Sequence, residues 1–174
     1  QLVIGSTGRG GDMFMVPKLA NEMLGTKFKI VLGYRGIRDV DKAIEGGEAQ
    51  GRAGSWLSWK LSHADWVKDG KVRQIFQVGF SRARDLPKTP LMQELAQNEA
   101  DRKVLEFFAL TTQIARSVFA PPGAPSNLVD ALRSSFDQAM ADKELAAEAQ
   151  KRGVPLEPMG WQDVQSAAMK TANV

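Results

Sequence analysis

Apolar residues change their spacing several times along this chain, and each change predicts an element. Leu2, Val3 and Ile4 form a short branched run that predicts a strand. A glycine-rich stretch, residues 5–11, follows it. Met13, Val16, Leu19, Ala20 and Met23 then recur at helical spacing, and Gly25 is placed to stop that helix. Residues 28–32 predict a second strand, which runs out at Gly33-Tyr34-Arg35-Gly36. Asp39 or Asp41 is placed to cap a helix through Ala43 and Ile44 that ends at Gly46-Gly47, and residues 50–55 predict a third brief strand. Trp56 and Trp59 share one face if residues 55–61 are helical.

Farther on, residues 72–80 are rich in Val, Ile and Phe and give the clearest expectation of a buried strand. Asp85-Leu-Pro-Lys-Thr-Pro90 predicts a turn, with short helices over residues 91–96 and from Asp101 through Leu105 and Phe108. Pro121-Pro-Gly-Ala-Pro125 is the sharpest boundary in the chain and predicts a domain crossing, with a main lobe over residues 1–120 and a further segment over 121–174. Ser126 is placed to cap an amphipathic helix marked by Leu128, Leu132, Phe136 and Met140. A second helix is expected over residues 143–151, ended by Gly153. The alternation predicts an α/β fold, a mainly parallel sheet flanked by helices, with a C-terminal helical segment.

Composition narrows the chemistry. With 23 Lys and Arg against 20 Asp and Glu, the small basic excess is spread out and argues against a nucleic-acid surface. Cysteine is absent, which removes disulfides, thiolate metal sites and cysteine nucleophiles. The one histidine, His63, has no partner at a spacing that builds a catalytic triad, and a surface or capping role is expected of it. Asp12, Asp39, Asp41, Glu45 and Glu48 lack the spacing of a calcium loop and read as solvated helix faces, so neither a metal nor a cofactor is expected. Trp56, Trp59 and Trp66 are expected to pack onto a sheet rather than form a sugar platform. The chain opens directly on a strand without the basic and apolar regions of a signal peptide, and is therefore expected to be a piece of a longer precursor.

Two loops are candidates for binding. Gly5-Ser-Thr-Gly8-Arg-Gly10-Gly11 stands where a strand hands over to a helix, and backbone N–H groups there favour an anion. The hydroxyls of Ser6 and Thr7 add directional donors. Tyr34-Arg35-Gly36 follows the next strand, so a parallel sheet places it at the same edge, where Arg35 can grip a carboxylate bidentately. A turn that binds nothing and a solvated Arg35 are the plain alternatives. Gly-x-Thr-Gly-x-x-Gly also resembles the phosphate loop of an NAD(P)-binding Rossmann oxidoreductase. That alternative lacks a Tyr-x-x-x-Lys pair, because Arg38 stands four residues after Tyr34.

The loop 5–11, Gly33-Tyr-Arg-Gly36, Ala43-Ile-Glu-Gly-Gly-Glu-Ala-Gln-Gly51-Arg-Ala-Gly-Ser-Trp56, Asp65-Trp66, the run 74–80, Asp85-Leu-Pro-Lys-Thr-Pro90, Arg116-Ser-Val-Phe-Ala-Pro-Pro-Gly-Ala-Pro125 and Leu132-Arg-Ser-Ser-Phe136 follow one another in an order that resembles the tripartite tricarboxylate transporter receptors, the TctC or Bug family. The resemblance spans nearly the whole chain. It implies a type II periplasmic-binding-protein-like lobe that binds a small carboxylate in the periplasm and delivers it to membrane transporter subunits, without catalysis. Its implied ligand contacts are Ser6, Thr7, Gly8, Gly10, Gly11, Tyr34, Gly36 and, more weakly, Ser55, beside Arg35 from the spacing argument. Gly11 stands where the family often has Ser, and Arg35 where it often has Pro or Lys, which leaves the particular carboxylate open. The family's first lobe should precede Gln1, so the helices after Ser126 are expected to repack or self-associate.

Overall fold

The structure, a computed structural model, describes residues 1–114 and 117–172. Arg116, which opens the quoted proline-rich segment, lies outside the described residues. The fold is mixed α/β, and the chain divides into two compact units, Gln1–Phe108 and Ala109–Val174.

In the first unit, strand β1 (Val3–Gly5) leads through the glycine loop into helix α1 (Asp12–Met23), and β2 (Lys29–Val31) leads into α2 (Ile37–Glu45). The strands pair in parallel, Val3 with Lys29, Ile4 with Ile30 and Gly5 with Val31. Helix α1 stops where the sequence places its end, with Gly25 at φ 66°, a conformation that costs a residue bearing Cβ. Asn21 then ties that helix to the second strand. Its amide donates to the Phe28 carbonyl at 2.9 Å, while its carbonyl oxygen accepts from Phe28 N–H at 2.8 Å and from the Thr26 hydroxyl at 2.7 Å. Asn21→Ala strands these half-buried backbone groups and is expected to lower unfolding free energy by about 1–2 kcal/mol, read from the urea midpoint.

Helices α3 (Trp56–Ser62) and α4 (Ala64–Lys68) follow, then a 3-10 turn at Met92–Leu95 and helix α5 (Glu99–Ile114). The core gathers Ala20, Met92 and Leu105, with Leu19, Met23, Phe28, Phe76 and Val78 packed against them. Several expected boundaries move. Helix α2 begins after Gly36, so Asp39 sits in its first turn and Asp41 in its middle rather than at a cap. Helix α5 begins at Glu99, because Asn98 takes the Asp101 N–H at 2.9 Å and so occupies the capping place expected of Asp101.

The expected strand at residues 72–80 does not form. Its backbone makes one bridge, Gln77 to Leu91, and alternate residues turn outward, leaving Ile75 51% exposed. A strand needs a neighbour to satisfy its N–H and C=O groups, and β-branched composition does not supply one. Gln77 serves the adjoining turn instead, donating to Leu86 and Thr89 carbonyls and accepting from Ala83 N–H. Residues 50–55 likewise reduce to a single parallel bridge between Gly51 and Ile4.

The second unit contains α6 (Ser126–Met140), α7 (Lys143–Lys151) and α8 (Trp161–Ala172). Ser126 lies inside α6 with Pro125 at the cap, a correction that follows from the fixed φ of proline, preset to start a helix. Asp142 caps α7 by accepting from Leu145 N–H at 2.7 Å, and Gly153 at φ 66° ends it. The Arg133 guanidinium lies 3.7 Å from the Trp161 ring centre. Leu128 and Leu132 remain about half exposed, at 51% and 55%.

Candidate anion site at the carboxyl edge of the strands

Parallel pairing brings three loops to one edge. The Ser6 N–H donates to the Val31 carbonyl at 2.8 Å, and the Gly5 N–H donates to the Gly51 carbonyl at 3.0 Å. β1 is therefore central, with β2 on one side and residues 50–51 on the other. The chain leaves this edge three times, through residues 6–11, 32–36 and 52–55, and each loop enters a helix: α1 after Gly11, α2 after Gly36 and α3 after Ser55.

At two of these helix starts no side chain caps the first turn. Gly11 and Gly36 both hold extended backbone and accept only through their carbonyls, so the leading N–H groups of α1 and α2 are left to an outside acceptor. Asp12 and Asp39 in these first turns take part of the favourable dipole. The third start differs, because Ser55 Oγ accepts the Ser58 N–H at 3.1 Å and caps α3 itself. Its hydroxyl hydrogen is left for another acceptor.

The expected contact residues divide by role. Ser6 is fully buried and its hydroxyl donates to the Gly8 carbonyl at 3.3 Å, so it braces the loop from inside. Thr7 is exposed and its hydroxyl lies 3.9 Å from the Met13 sulfur. Gly8, Gly10, Gly11 and Gly36 each have open space where a Cβ would stand, and none has positive φ. Arg35 is exposed and, among the described residues, no hydrogen bond or ion pair holds it. Tyr34 turns inward instead. Its ring packs over Gly5, and its hydroxyl donates to Glu48 at 2.8 Å, a bond that lifts the phenol above its ordinary 10.0.

Beside the third loop stands a cluster that the sequence pattern concealed. Asp41, expected on a solvated face, is 6% exposed and accepts from Arg52 Nε and, at 3.4 Å, from Nη2. His63, expected at the surface, occupies the α3–α4 junction with its side chain 13% exposed and Nε2 2.8 Å from Asp41 Oδ2. The ring N–H is not aligned with that oxygen, so the contact is electrostatic more than a formed hydrogen bond. Trp59 packs on the Arg52 guanidinium at 3.9 Å, and Trp66 stacks on the His63 ring at 4.5 Å, so these indoles cover the Arg52 and His63 side chains rather than a sheet. Trp56 instead donates its indole N–H to Asp85, which also pairs with Lys60. Burial pushes the Asp41 carboxyl upward, but the Arg52 bond and the adjacent imidazole outweigh it and hold the group below 3.8. The available signal was periodicity. Position 41 lies on the inward face with Val40 and Ala43, where a carboxylate needs a buried partner.

Comparison with protein-family models and with curated proteins returned no match.

Proposed function

We propose that this chain is a carboxylate-binding lobe of an extracytoplasmic solute receptor of the tripartite tricarboxylate transporter type, acting in the periplasm and handing its ligand to membrane transporter subunits. In this reading its fold is a type II periplasmic-binding-protein lobe and its chemistry is binding without catalysis. One observation carries the proposal. Gly8, Gly10, Gly11 and Gly36 share the carboxyl edge, yet neither positive φ nor crowding requires glycine at any of them. Glycine at such places serves close approach of something else to the backbone, and the uncapped N–H groups beside it suit an anion. Arg35, exposed and unpaired among the described residues, is placed to add a charge-assisted contact.

The resembled receptors close a second lobe over the ligand, which dries both of its sides. One lobe alone leaves the carboxylate half in water, so affinity of about millimolar order is expected. Amide NMR on the chain checks this directly. Titration with di- and tricarboxylates should shift the signals of Gly8, Gly10, Gly11 and Gly36, and Arg35→Ala should weaken the response. Shifts confined to other regions, or a response to NADPH alone, would overturn the reading. Submicromolar binding would instead show that this lobe holds the complete site.

A further inference from the structure

We infer that Asp41 and His63 are positioning residues for the third wall of the proposed site: Asp41 grips Arg52 and His63 flanks the same carboxylate, which sets residues 52–55 at the carboxyl edge with a hold that changes when His63 takes up a proton. This inference rests on the carboxylate reading above and adds a regulation to it.

The third loop has an unusual foundation. Arg52 follows directly on Gly51, which bridges to β1, and its side chain is wholly buried. Asp41 takes Nε and Nη2, Trp59 covers the guanidinium plane, and Nη1 is left buried without an acceptor. The backbone then folds back over its own guanidinium. At Gly54, φ is 157° and a Cβ would stand 2.6 Å from Nη1, so only glycine follows this path. One residue later Ser55 caps α3. The course of the loop is thus set by where Asp41 holds Arg52.

His63 gives that hold a proton dependence. It is the only histidine in the chain, and histidine is the side-chain type whose charge ordinarily changes near neutral pH. The charged groups facing its ring are Asp41 from α2 and, across the same carboxylate, Arg52 from the third loop. From α3 and α4 it meets the indoles of Trp59 and Trp66. Lys60 on α3 pairs with Asp85, and Asp65 on α4 is exposed. With a neutral imidazole the carboxylate and guanidinium cancel. Proton uptake leaves one net positive charge in a nearly dry cluster, strengthens the existing 2.8 Å contact of His63 with Asp41, and adds attraction for an anion at the adjoining edge.

The experiment uses the whole chain and two readouts. Tryptophan emission reports the cluster, because an imidazolium stacked on an indole quenches it. Lowering pH from 8 to 5.5 should dim the wild-type protein through one titration, which His63→Gln should abolish and Trp66→Phe should diminish. Amide NMR with tartrate, whose two carboxylates stay ionised from pH 8 to 6, reports the site. Affinity should rise about two- to fivefold across that range, the size of one screened charge, and stay flat in His63→Gln. A wild-type emission curve that is flat, or is unchanged in His63→Gln, overturns the inference whatever tartrate does. An emission titration with pH-independent tartrate binding overturns the coupling while the carboxylate reading stands. Tartrate that shifts no loop amide at either pH removes the carboxylate reading, and this inference with it.

Discussion

Asp41→Ala is expected to lower the unfolding free energy by about 3–5 kcal/mol, because it leaves the Arg52 guanidinium buried without its counter-charge. The guanidinium cannot recover water by swinging outward, since Trp59 covers one face and Gly54 closes over Nη1. Urea unfolding followed by far-UV circular dichroism measures the loss. The double variant Asp41→Ala, Arg52→Met supplies the control. Removing both charges and filling the space with an apolar chain should restore much of the stability, because desolvation of the pair cancels much of its attraction. A double variant no better than the single would place the cost in packing instead. The carboxyl is depressed in the folded state, so its contribution is complete above the ordinary 3.8 and is lost as pH falls through the lower folded-state value. Wild type and Asp41→Ala should therefore converge in stability toward acid pH.

Gly5→Ala is expected to cost about 2–3 kcal/mol for a single added carbon. An alanine Cβ at this position stands 2.6 Å from Val40 Cγ1 and 3.3 Å from Tyr34 Cε2. Neither neighbour has room to retreat: Val40 is fully buried on α2, and Tyr34 is tethered through its hydroxyl to Glu48. α2 must therefore lift from the edge of β1, which also disturbs the Gly36 end of that helix. Thermal unfolding should show the loss directly. Val40→Ala in the same chain should relieve it in part, since the clash is with one methyl group. Full additivity of the two substitutions would show that the pair does not touch in solution.

The early β-α-β-α order was legible because each element there is specified by its neighbours in sequence. Branched residues at 2–4, helical spacing from Met13 to Met23 and the stop at Gly25 all name the conformation the chain adopts. The glycine loops at the strand ends were legible for the same reason, including their placement at one edge once pairing is parallel. Residues 72–80 were misleading because Val, Ile and Phe announce burial as readily as pairing. Here Phe76 and Val78 serve the core while the backbone finds one bridge.

Local pattern by itself thus determined the bounds of α1, α3 and α7 to within a few residues, and that α1 starts on a glycine at a strand end, whereas it placed the start of α2 at Asp39 or Asp41 instead of Gly36. The tertiary structure alone decided which segments become strands, since a strand's hydrogen bonds lie on another part of the chain. It also decided the charge partners of the third loop. Asp41 and His63 are 22 positions apart, and no spacing rule joins them, because the contact exists only after α2, residues 50–52 and the α3–α4 junction pack together. Low dielectric then does what sequence cannot display: it turns three ordinary side chains, each unremarkable on a solvated surface, into one coupled group.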